Sequence, residues 1–219
     1  MTSRFGAVDG SAADVVPAVL AQPPRLGRTR LVCVDGPAGS GKTTLAAALD
    51  RGFRDVLRRP GDPALATHVR TLHMDNVYDG WDGLAAGMAT MARDVVDPLR
   101  VGRAGRYRRY DWHRGEYAEA RVVEPVDVLV VEGVGSGARA YADVTSCLIW
   151  VEAPPELRRE RGLARDGQHV VDHWLAWQRQ EQQTFASERP WERADVLVDG
   201  TTGILRHPHP PPPPSRDLP

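Results

Sequence analysis

The sequence predicts an α/β protein with a three-layer αβα architecture, in which helices cover both faces of a mainly parallel central sheet. Short apolar runs of strand length alternate along the chain with longer segments of helical period. The apolar runs contain few polar residues, as is typical of strands buried on both faces. A glycine-rich motif after the first clear run indicates which α/β fold to expect.

The first clear strand, Leu31 to Val34, leads into a phosphate-binding motif. Residues 36 to 43 match the pattern G-x-x-x-x-G-K-[ST], and an alanine-rich helix is expected from about Lys42 to Leu57. Strand, phosphate loop and helix in this order are the signature of the P-loop NTPase fold. We therefore expect that fold for the main domain.

The residue types of this loop suit the binding of a polyphosphate. Glycines let the backbone turn its N–H groups inward, and the following helix directs its positive dipole end at the same charge. Lys42 would contact the β- and γ-phosphates, and the Thr43 hydroxyl would bind Mg²⁺. Lys42 is the only lysine among 28 Lys and Arg residues, and a slim ammonium fits between phosphates better than a guanidinium. The predicted cofactors are ATP and Mg²⁺, and the predicted nucleotide-binding residues are Gly36, Pro37, Ala38, Gly39, Ser40, Gly41, Lys42, Thr43 and Thr44.

The elements after this helix continue the alternation of strand and helix. The expected strands are His68 to Met74, Val126 to Val131, Ser146 to Val151 and Ala194 to Val198. The expected helices are Leu84 to Leu99, Glu156 to about Arg165 and about Val170 to Ser187. Residues 103–114 have no clean period, which predicts an irregular segment or a short hairpin.

The chain is expected to form one domain with loosely ordered ends. Residues 1–27 are rich in Ala, Gly and Pro, with one weakly helical piece at 12–20 that Pro17 interrupts, so a loosely docked extension is expected there. The predicted P-loop domain spans 28–205. Residues 206–219 contain five consecutive prolines and predict a polyproline II tail.

Composition narrows the class of protein. A formal net charge of -1 gives no support for a protein built to coat nucleic acid or an anionic membrane. Cys33 and Cys147 lie in predicted core strands, which favours buried reduced thiols and a cytoplasmic location. No apolar stretch approaches the roughly 18 residues of a membrane span. The oligomeric state stays open.

Two acidic residues follow predicted strands, at the edge where parallel sheets bind ligands. Asp75 comes after the second strand, where a carboxylate can orient and deprotonate an acceptor hydroxyl, or can cap a turn. Glu132 comes after the strand that begins at Val126, where it can hold Mg²⁺ through water, or can be solvated or act as a cap. The sequence therefore predicts Asp75 as the catalytic base and Glu132 as a metal residue beside Thr43.

Three arginines share one face of the helix after the fourth strand. Arg158, Arg161 and Arg165 are spaced i, i+3 and i+7. They could close over ATP as a lid and stabilise the transferring charge, with Arg161 and Arg165 as catalytic residues. They could equally form a solvated basic face paired with Glu156 and Glu160.

Several further residues allow both a functional and an ordinary interpretation. Residues 106–114 mix cations with aromatic rings, which suits the binding of a base or phosphate but also a surface hairpin. His169 and His173 are four residues apart on a predicted helix, as in a metal pair, yet no third ligand motif lies near them. Trp174 and Trp177 are expected in the core.

Taken together, the motifs resemble the uridine kinase and phosphoribulokinase group of P-loop kinases over residues 29 to 200. The resemblance is carried by the phosphate loop, by Met74-Asp75-Asn76-Val77-Tyr78, by Tyr110-Asp111-Trp112, by Val130-Val131-Glu132-Gly133, by the arginine helix and by Ala194-Asp195-Val196-Leu197-Val198.

This resemblance implies an αβα fold, ATP with Mg²⁺, and phosphorylation of a primary hydroxyl. It implies that Asp75 is the general base and that Tyr78, Tyr110, His113 and Arg114 line the acceptor site. Here His113 and Arg114 follow the aromatic motif at once, whereas uridine-phosphorylating members place a His and an Arg further on. The acceptor pocket is therefore expected to differ.

The leading hypothesis is a kinase that transfers the γ-phosphoryl group of ATP to a hydroxyl of a uridine-like nucleoside or related metabolite. The phosphate loop alone also resembles that of cytidylate kinase, so a nucleoside monophosphate kinase is a second hypothesis. Two more hypotheses are a nucleic-acid-associated ATPase that uses the arginines between 100 and 114, and a nucleotide-binding module that acts through the proline-rich tail. The guanine-reading motif Asn-Lys-x-Asp is absent, which favours ATP as donor.

Overall fold

The computed structural model describes residues 12–58, 68–202 and 205–206. Residues 58–63, Arg-Arg-Pro-Gly-Asp-Pro, predict a turn after the first long helix, and all of them except Arg58 lie outside the described residues. The tail expected at 206–219, apart from its first residue, and residues 1–11 of the predicted N-terminal extension also lie outside them.

The described strands form one six-stranded sheet and one separate hairpin. In the sheet the order is β2-β5-β1-β6-β7-β8, and all neighbours are parallel except β7 and β8. This arrangement confirms the predicted mainly parallel α/β fold. The strands are β1 (Arg30–Asp35), β2 (Val69–His73), β3 (Gly105–Asp111), β4 (Glu116–Val123), β5 (Val128–Glu132), β6 (Thr145–Glu152), β7 (Val196–Asp199) and β8 (Leu205–Arg206).

Helices cover both faces of the sheet and complete the three layers. Helices α1 and α2 pack on one face, while α3, α4, α6 and the hairpin pack against the other. Among the described residues, no helix combines the length and the apolar character needed to cross a lipid bilayer. The helices are α1 (Ala12–Leu20), α2 (Lys42–Leu57), α3 (Leu84–Thr90), α4 (Asp97–Arg100), α5 (Pro155–Asp166), α6 (Val171–Glu188) and α7 (Pro190–Arg193).

The central strands are apolar because both of their faces are covered. Every residue of β5 is buried, and β1 is buried from its second residue onward. Cys33 and Cys147 are buried free thiols on the neighbouring strands β1 and β6, as predicted. Burial raises the pKa of Cys33 to about 12, so this thiol stays protonated.

Helix α1 belongs to the packed core. Val15, Val16 and Val19 are almost fully buried against α2. A Cβ atom on Gly52 of α2 would lie 2.9 Å from the Val16 side chain, so the two helices are in close contact. The described part of residues 1–27 thus differs from the loosely docked extension expected from its composition, because three valines on one face outweigh the unfavourable Pro17.

The segment around residue 110 is an antiparallel hairpin of β3 and β4. The sequence left an irregular segment and a hairpin open, and it did not predict β4. Most of β4 is exposed on both faces, so its sequence lacks the alternation that marks a half-buried strand. Within the hairpin strands, only Val123 at the end of β4 and Gly105 and Tyr107 of β3 are buried against the domain.

The helix expected from Leu84 to Leu99 is one continuous helical segment with an irregular middle. A π-helical stretch, Met91–Val96, joins α3 to α4. Leu84, Met91, Val95 and Leu99, which are apolar residues at helical spacing in the sequence, are all buried.

Candidate active site

The carboxyl ends of the parallel strands β1, β2 and β5 lie at the same edge of the sheet. The phosphate loop follows β1, Asp75 lies two residues after β2, and Glu132 is the last residue of β5. In the register, Val34 and His73 both lie opposite Glu132. The topology therefore brings together three predicted site segments that are far apart in the sequence.

The phosphate loop has the backbone conformation that its glycines predict. Gly36, Gly39 and Gly41 have φ values of 147°, 77° and 103°. A Cβ atom on Gly39 would lie 2.3 Å from the carbonyl oxygen of Arg158. The loop is thus held against helix α5 at a contact that only glycine permits.

The side chain of Lys42 lies within the loop. It is 7% exposed, and its Nζ donates a hydrogen bond to the carbonyl oxygen of Pro37 at 2.8 Å. The N–H of Ala38, which belongs to the same peptide group, donates to Oε1 of Glu181 at 2.8 Å. The glycine conformations and this single buried ammonium fit the binding of a triphosphate.

Thr43 and Glu132 form a small oxygen-rich group at the start of α2. The Thr43 hydroxyl lies 3.3 Å from both carboxylate oxygens of Glu132, which is 4% exposed. A hydroxyl and a carboxylate are ligands that suit Mg²⁺ when phosphates supply the rest. Among the described residues, no group of three His, Cys, Asp or Glu side chains is placed to hold a metal.

His73, which the sequence analysis did not single out, pairs with Glu132. Its Nδ1 lies 2.6 Å from Oε1 of Glu132. This hydrogen bond raises the pKa of His73. The carboxylate is thus held between a hydroxyl and an imidazole. The signal for His73 was its place at the end of a strand, beside Asp75.

Asp75 lies in a 3₁₀ turn, Met74–Asn76, directly after β2. The residue as a whole is exposed at the edge of the sheet, although many protein atoms surround its carboxyl group. Desolvation by the surrounding protein and then the charge of Glu132 raise the pKa of Asp75, while the charges of Arg165 and Lys42 lower it. Asp75 therefore lies within electrostatic reach of the predicted metal, phosphate and lid residues, which suits a general base.

The four predicted acceptor residues are not equivalent. Tyr78 is 1% exposed, and its hydroxyl donates to the carbonyl oxygen of Val134 at 2.8 Å. Tyr110 is half-buried, whereas His113 and Arg114 are exposed at the hairpin turn. The Tyr78 hydroxyl is therefore engaged in a buried hydrogen bond. Of the four predicted acceptor residues, only the three in the hairpin are accessible to solvent.

An aromatic cluster lies beside Asp75 and joins three elements. Trp112 of the hairpin donates from Nε1 to the backbone carbonyl oxygen of Asp75 at 2.8 Å. The ring of Trp112 packs edge-on against Trp81 and Tyr110, each with a centroid distance of 5.3 Å. Trp81 is stacked on His173 of α6, also at 5.3 Å. His173 is thus part of an aromatic contact.

The arginines of α5 have separate partners. Arg158 donates from Nε to the carbonyl oxygen of Ala153 at 3.0 Å. Arg161 donates from Nη1 to the carbonyl oxygens of Gly39, at 3.4 Å, and Gly200, at 3.0 Å. Arg165 is exposed and pairs with its neighbour, Asp166. Arg161 therefore supports the phosphate loop from outside, and Arg165 is the arginine whose charge acts on Asp75 and Glu132.

Asp35, at the end of β1, is a buried carboxylate that the sequence analysis missed. It is 1% exposed and accepts hydrogen bonds from the backbone N–H groups of Gly36, Gly135 and Gly137 at 2.7 to 2.9 Å. Burial raises the pKa of Asp35 to about 6, against the effect of these three hydrogen bonds. One side chain thus ties the phosphate loop to the glycine-rich loop after Glu132. An acid directly after an apolar run was the available signal.

Glu181 of α6 was also missed. It is 3% exposed, and its Oε1 accepts hydrogen bonds from Ala38 N–H and from Nε1 of Trp177, the latter at 2.7 Å. Trp174, Trp177, Glu181 and Phe185 share the buried face of α6 at spacings of three and four residues. This spacing was visible in the sequence and marks Glu181 as a buried charge on an apolar face.

Comparisons with known proteins agree with this fold. The chain is similar to the structure of a possible uridine kinase from Bacillus stearothermophilus, with 19% identity over 85% of this chain and 96% of that chain and a TM-score of 0.59. It also matches a fructose transport system kinase, so named without experimental proof, from Silicibacter sp. TM1040, with 21% identity over 84% and 95% of the two chains and a TM-score of 0.49. No protein-family model matches the chain, and the comparison with curated proteins finds no match. At these identities the likeness to the first structure confirms the predicted fold and nothing finer.

Proposed function

We propose that this protein is an ATP-dependent kinase that transfers the γ-phosphoryl group to a hydroxyl of a uridine-like nucleoside or related small metabolite. The observation that carries the proposal is the convergence of Lys42, Thr43, Glu132 and Asp75 at one edge of the parallel sheet. These are a phosphate-binding cation, two oxygen ligands and a base. Phosphoryl transfer needs this combination.

The phosphate loop would bind the triphosphate through its N–H groups and Lys42. Thr43 and Glu132 would hold Mg²⁺, which neutralises charge on the phosphates when it is bound. Glu132 is positioned for this by the hydrogen bond to His73. In this arrangement the protein contributes mainly positioning and fixed charge.

Asp75 would accept the proton of the acceptor hydroxyl. Its raised pKa keeps it a stronger base than an ordinary Asp side chain. Because Trp112 holds the backbone at Asp75, the acceptor is expected between Asp75 and the hairpin, beside Tyr110. In this proposal Arg165 is the lid residue, because its charge interacts with those of Asp75 and Glu132.

The uridine-like acceptor is the finer part of the proposal. It is supported by the motifs around Asp75 and Tyr110 and by the name of the similar structure, a possible uridine kinase. The aromatic cluster of Trp81, Trp112 and Tyr110 agrees with an acceptor that carries a flat ring.

The test is ATP consumption by the purified protein with Mg²⁺ against a panel of nucleosides, nucleoside monophosphates, sugars and vitamin precursors. Wild type should be stimulated by one class of hydroxyl compound, and Asp75→Asn should lose that stimulation by about a hundredfold or more while it still binds ATP. A nucleoside monophosphate as the only active compound would replace the proposal by a nucleoside monophosphate kinase. Binding of ATP without stimulation by any compound would reject a small-molecule kinase.

A further inference from the structure

One peptide group of the phosphate loop is held at both ends by opposite charges. The carbonyl oxygen of Pro37 accepts a hydrogen bond from Lys42 Nζ at 2.8 Å. The N–H of Ala38, at the other end of the same peptide, donates to Glu181 Oε1 at 2.8 Å. The described peptides are all trans, so these two groups point in opposite directions. Lys42 and Glu181 therefore lie on opposite sides of one peptide group.

The two charges reinforce each other across this peptide. A carboxylate that accepts from the N–H and an ammonium that donates to the C=O both polarise the amide in the same sense. Hydrogen bonds to charged groups are also stronger than those between neutral groups. A rotation of the Pro37–Ala38 peptide would break both bonds at once. The orientation of the carbonyl toward Lys42 thus depends on Glu181.

Glu181 is itself firmly held. It is almost fully buried on α6, and its Oε1 accepts a second hydrogen bond from Trp177 Nε1 at 2.7 Å. Trp177 packs edge-on against the buried ring of Tyr78 with a centroid distance of 4.9 Å. A buried carboxylate is costly unless hydrogen bonds compensate it. Glu181 fulfils this condition through the phosphate loop and one indole.

We infer that Glu181 is a positioning residue for Lys42, acting through the Pro37–Ala38 peptide. Its carboxylate keeps the Pro37 carbonyl directed at the lysine, so the ammonium is held inside the loop where the phosphates of ATP bind. The inference rests on the proposed nucleotide site and assigns a function in that site to a residue of a distant helix. It predicts that Glu181 matters for Mg·ATP only while Lys42 is present.

The experiment is a double-mutant cycle measured by calorimetric titration of the full chain with Mg·ATP. Glu181→Gln keeps an oxygen that can accept from Ala38 N–H, whereas Glu181→Leu removes the acceptor at similar volume. Because both variants remove the charge, their difference isolates the hydrogen bond. We expect Glu181→Gln to bind Mg·ATP within about threefold of wild type and Glu181→Leu to bind it about tenfold more weakly. In a Lys42→Ala background, Leu should weaken binding by less than about twofold.

Three results would overturn the inference. They are wild-type affinity in Glu181→Leu, equal losses in Glu181→Gln and Glu181→Leu, and a loss in Glu181→Leu that is as large without Lys42 as with it. Equal losses would show that the charge of Glu181 acts without the hydrogen bond to the peptide, because Gln has nearly the same shape as Glu. A loss that does not depend on Lys42 is what a purely packing role of Glu181 predicts. If wild type binds no Mg·ATP, the proposed function itself fails and takes the inference with it.

Thermal unfolding will show whether Glu181→Leu folds. If it does not fold, a second variant provides the test. Glu181→Asp retains the charge but withdraws the carboxylate by one methylene group, so it should bind Mg·ATP like the Leu variant and show the same dependence on Lys42. Trp177→Phe removes the second donor to Glu181 together with part of the buried ring, leaves the bond to Ala38 N–H in place, and should have a smaller effect on Mg·ATP affinity. Wild-type affinity in the Asp variant would reject the inference.

Discussion

The two sides of the candidate site are built in different ways. The phosphate loop is one continuous segment, residues 36–43, and its shape is set mainly by the backbone conformation of its glycines. The proposed acceptor side is assembled from Asp75 after β2, Trp81 from the next turn, Trp112 from the hairpin and His173 from α6. One side is a local motif, and the other is a set of side chains that meet only in the folded chain.

This difference predicts how each side responds to change. A substitution in the loop alters backbone positions that every phosphate contact shares, so its effect should be large. A substitution in the aromatic cluster beside Asp75 removes one side-chain contact among several, so its effect should be smaller than that of a change in the loop or of Asp75 itself, and it should be confined to turnover. Paired substitutions on the two sides test this contrast.

Among substitutions that leave the proposed base Asp75 in place, the largest effect is expected for Gly39→Ala. The new methyl group would lie 2.3 Å from the backbone of Arg158, at a φ of 77° that disfavours any other residue. The loop must move, and a shift of about 1 Å should weaken Mg·ATP binding by about a hundredfold.

Gly102→Ala is the matched control for Gly39→Ala. Its φ is 73°, and nothing lies within 4 Å of the new methyl group. Backbone strain in Gly102→Ala should lower the free energy of unfolding by about 1–2 kcal/mol, and Mg·ATP affinity should be unchanged. Equal nucleotide affinity in the two variants would show that the contact with α5 is unimportant.

Asp35→Asn should have an intermediate effect, because Asp35 joins the two loops at the centre of the site. An amide NH₂ would face at least one of the glycine N–H groups that now donate to the carboxylate. A buried donor left without a partner should lower the free energy of unfolding by about 1–3 kcal/mol, measured by urea denaturation.

The control for Asp35 is Asp143→Asn, which breaks an exposed ion pair with Arg100. Surface pairs of this kind contribute about 0–1 kcal/mol. Equal destabilisation by the two changes would contradict the role of Asp35 as the link between the loops.

On the acceptor side, Trp112→Phe removes the indole N–H and keeps most of the ring. The backbone at Asp75 loses its hydrogen bond from the hairpin. Turnover should fall by about five- to tenfold, the equivalent of one hydrogen bond, with Mg·ATP affinity unchanged.

Trp191→Phe is the comparison for Trp112→Phe, since the Trp191 Nε1 has no hydrogen-bond partner among the described residues. It should alter stability and not turnover. A fall in Mg·ATP affinity in Trp112→Phe would contradict the separation of the two sides.

The smallest expected effect is the pH dependence of turnover. The carboxylate is the form of Asp75 that accepts a proton, and its pKa is raised by desolvation and by the charge of Glu132. Activity should therefore be full above the raised pKa and decline as the pH falls through it, at a higher pH than for an ordinary Asp side chain. A rate profile with an acid limb at the usual Asp pKa would show that Asp75 is not the base.

The predictable parts of the site are those whose signal is local in the sequence. The phosphate loop and α2 follow from one motif, and α2 begins and ends at the expected residues. The places of Asp75 and Glu132 follow from strands that end just before them or with them. Asp35 follows an apolar run and Glu181 lies on an apolar helix face, and the meaning of both signals became clear only once their hydrogen-bond partners were known.

Several contacts could not be predicted because they depend on packing between distant segments. The sequence of the hairpin shows no hydrophobic period, because β4 is largely exposed on both faces. The burial of Tyr78, the contact of Trp112 with Asp75 and the stacking of His173 on Trp81 each join segments far apart in the chain. Nothing in the local sequence distinguishes these rings from ordinary core or surface residues.

The sequence by itself determined the fold class and the phosphate loop, because periodicity and glycine spacing act through the local backbone. The tertiary structure alone decided which charges meet. It placed Glu181 across a peptide from Lys42, Asp35 between two glycine loops and His73 against Glu132. The physical reason is that a hydrogen bond depends on distances of a few tenths of an ångström between residues far apart in the chain, and only the packed sheet and helices set those distances.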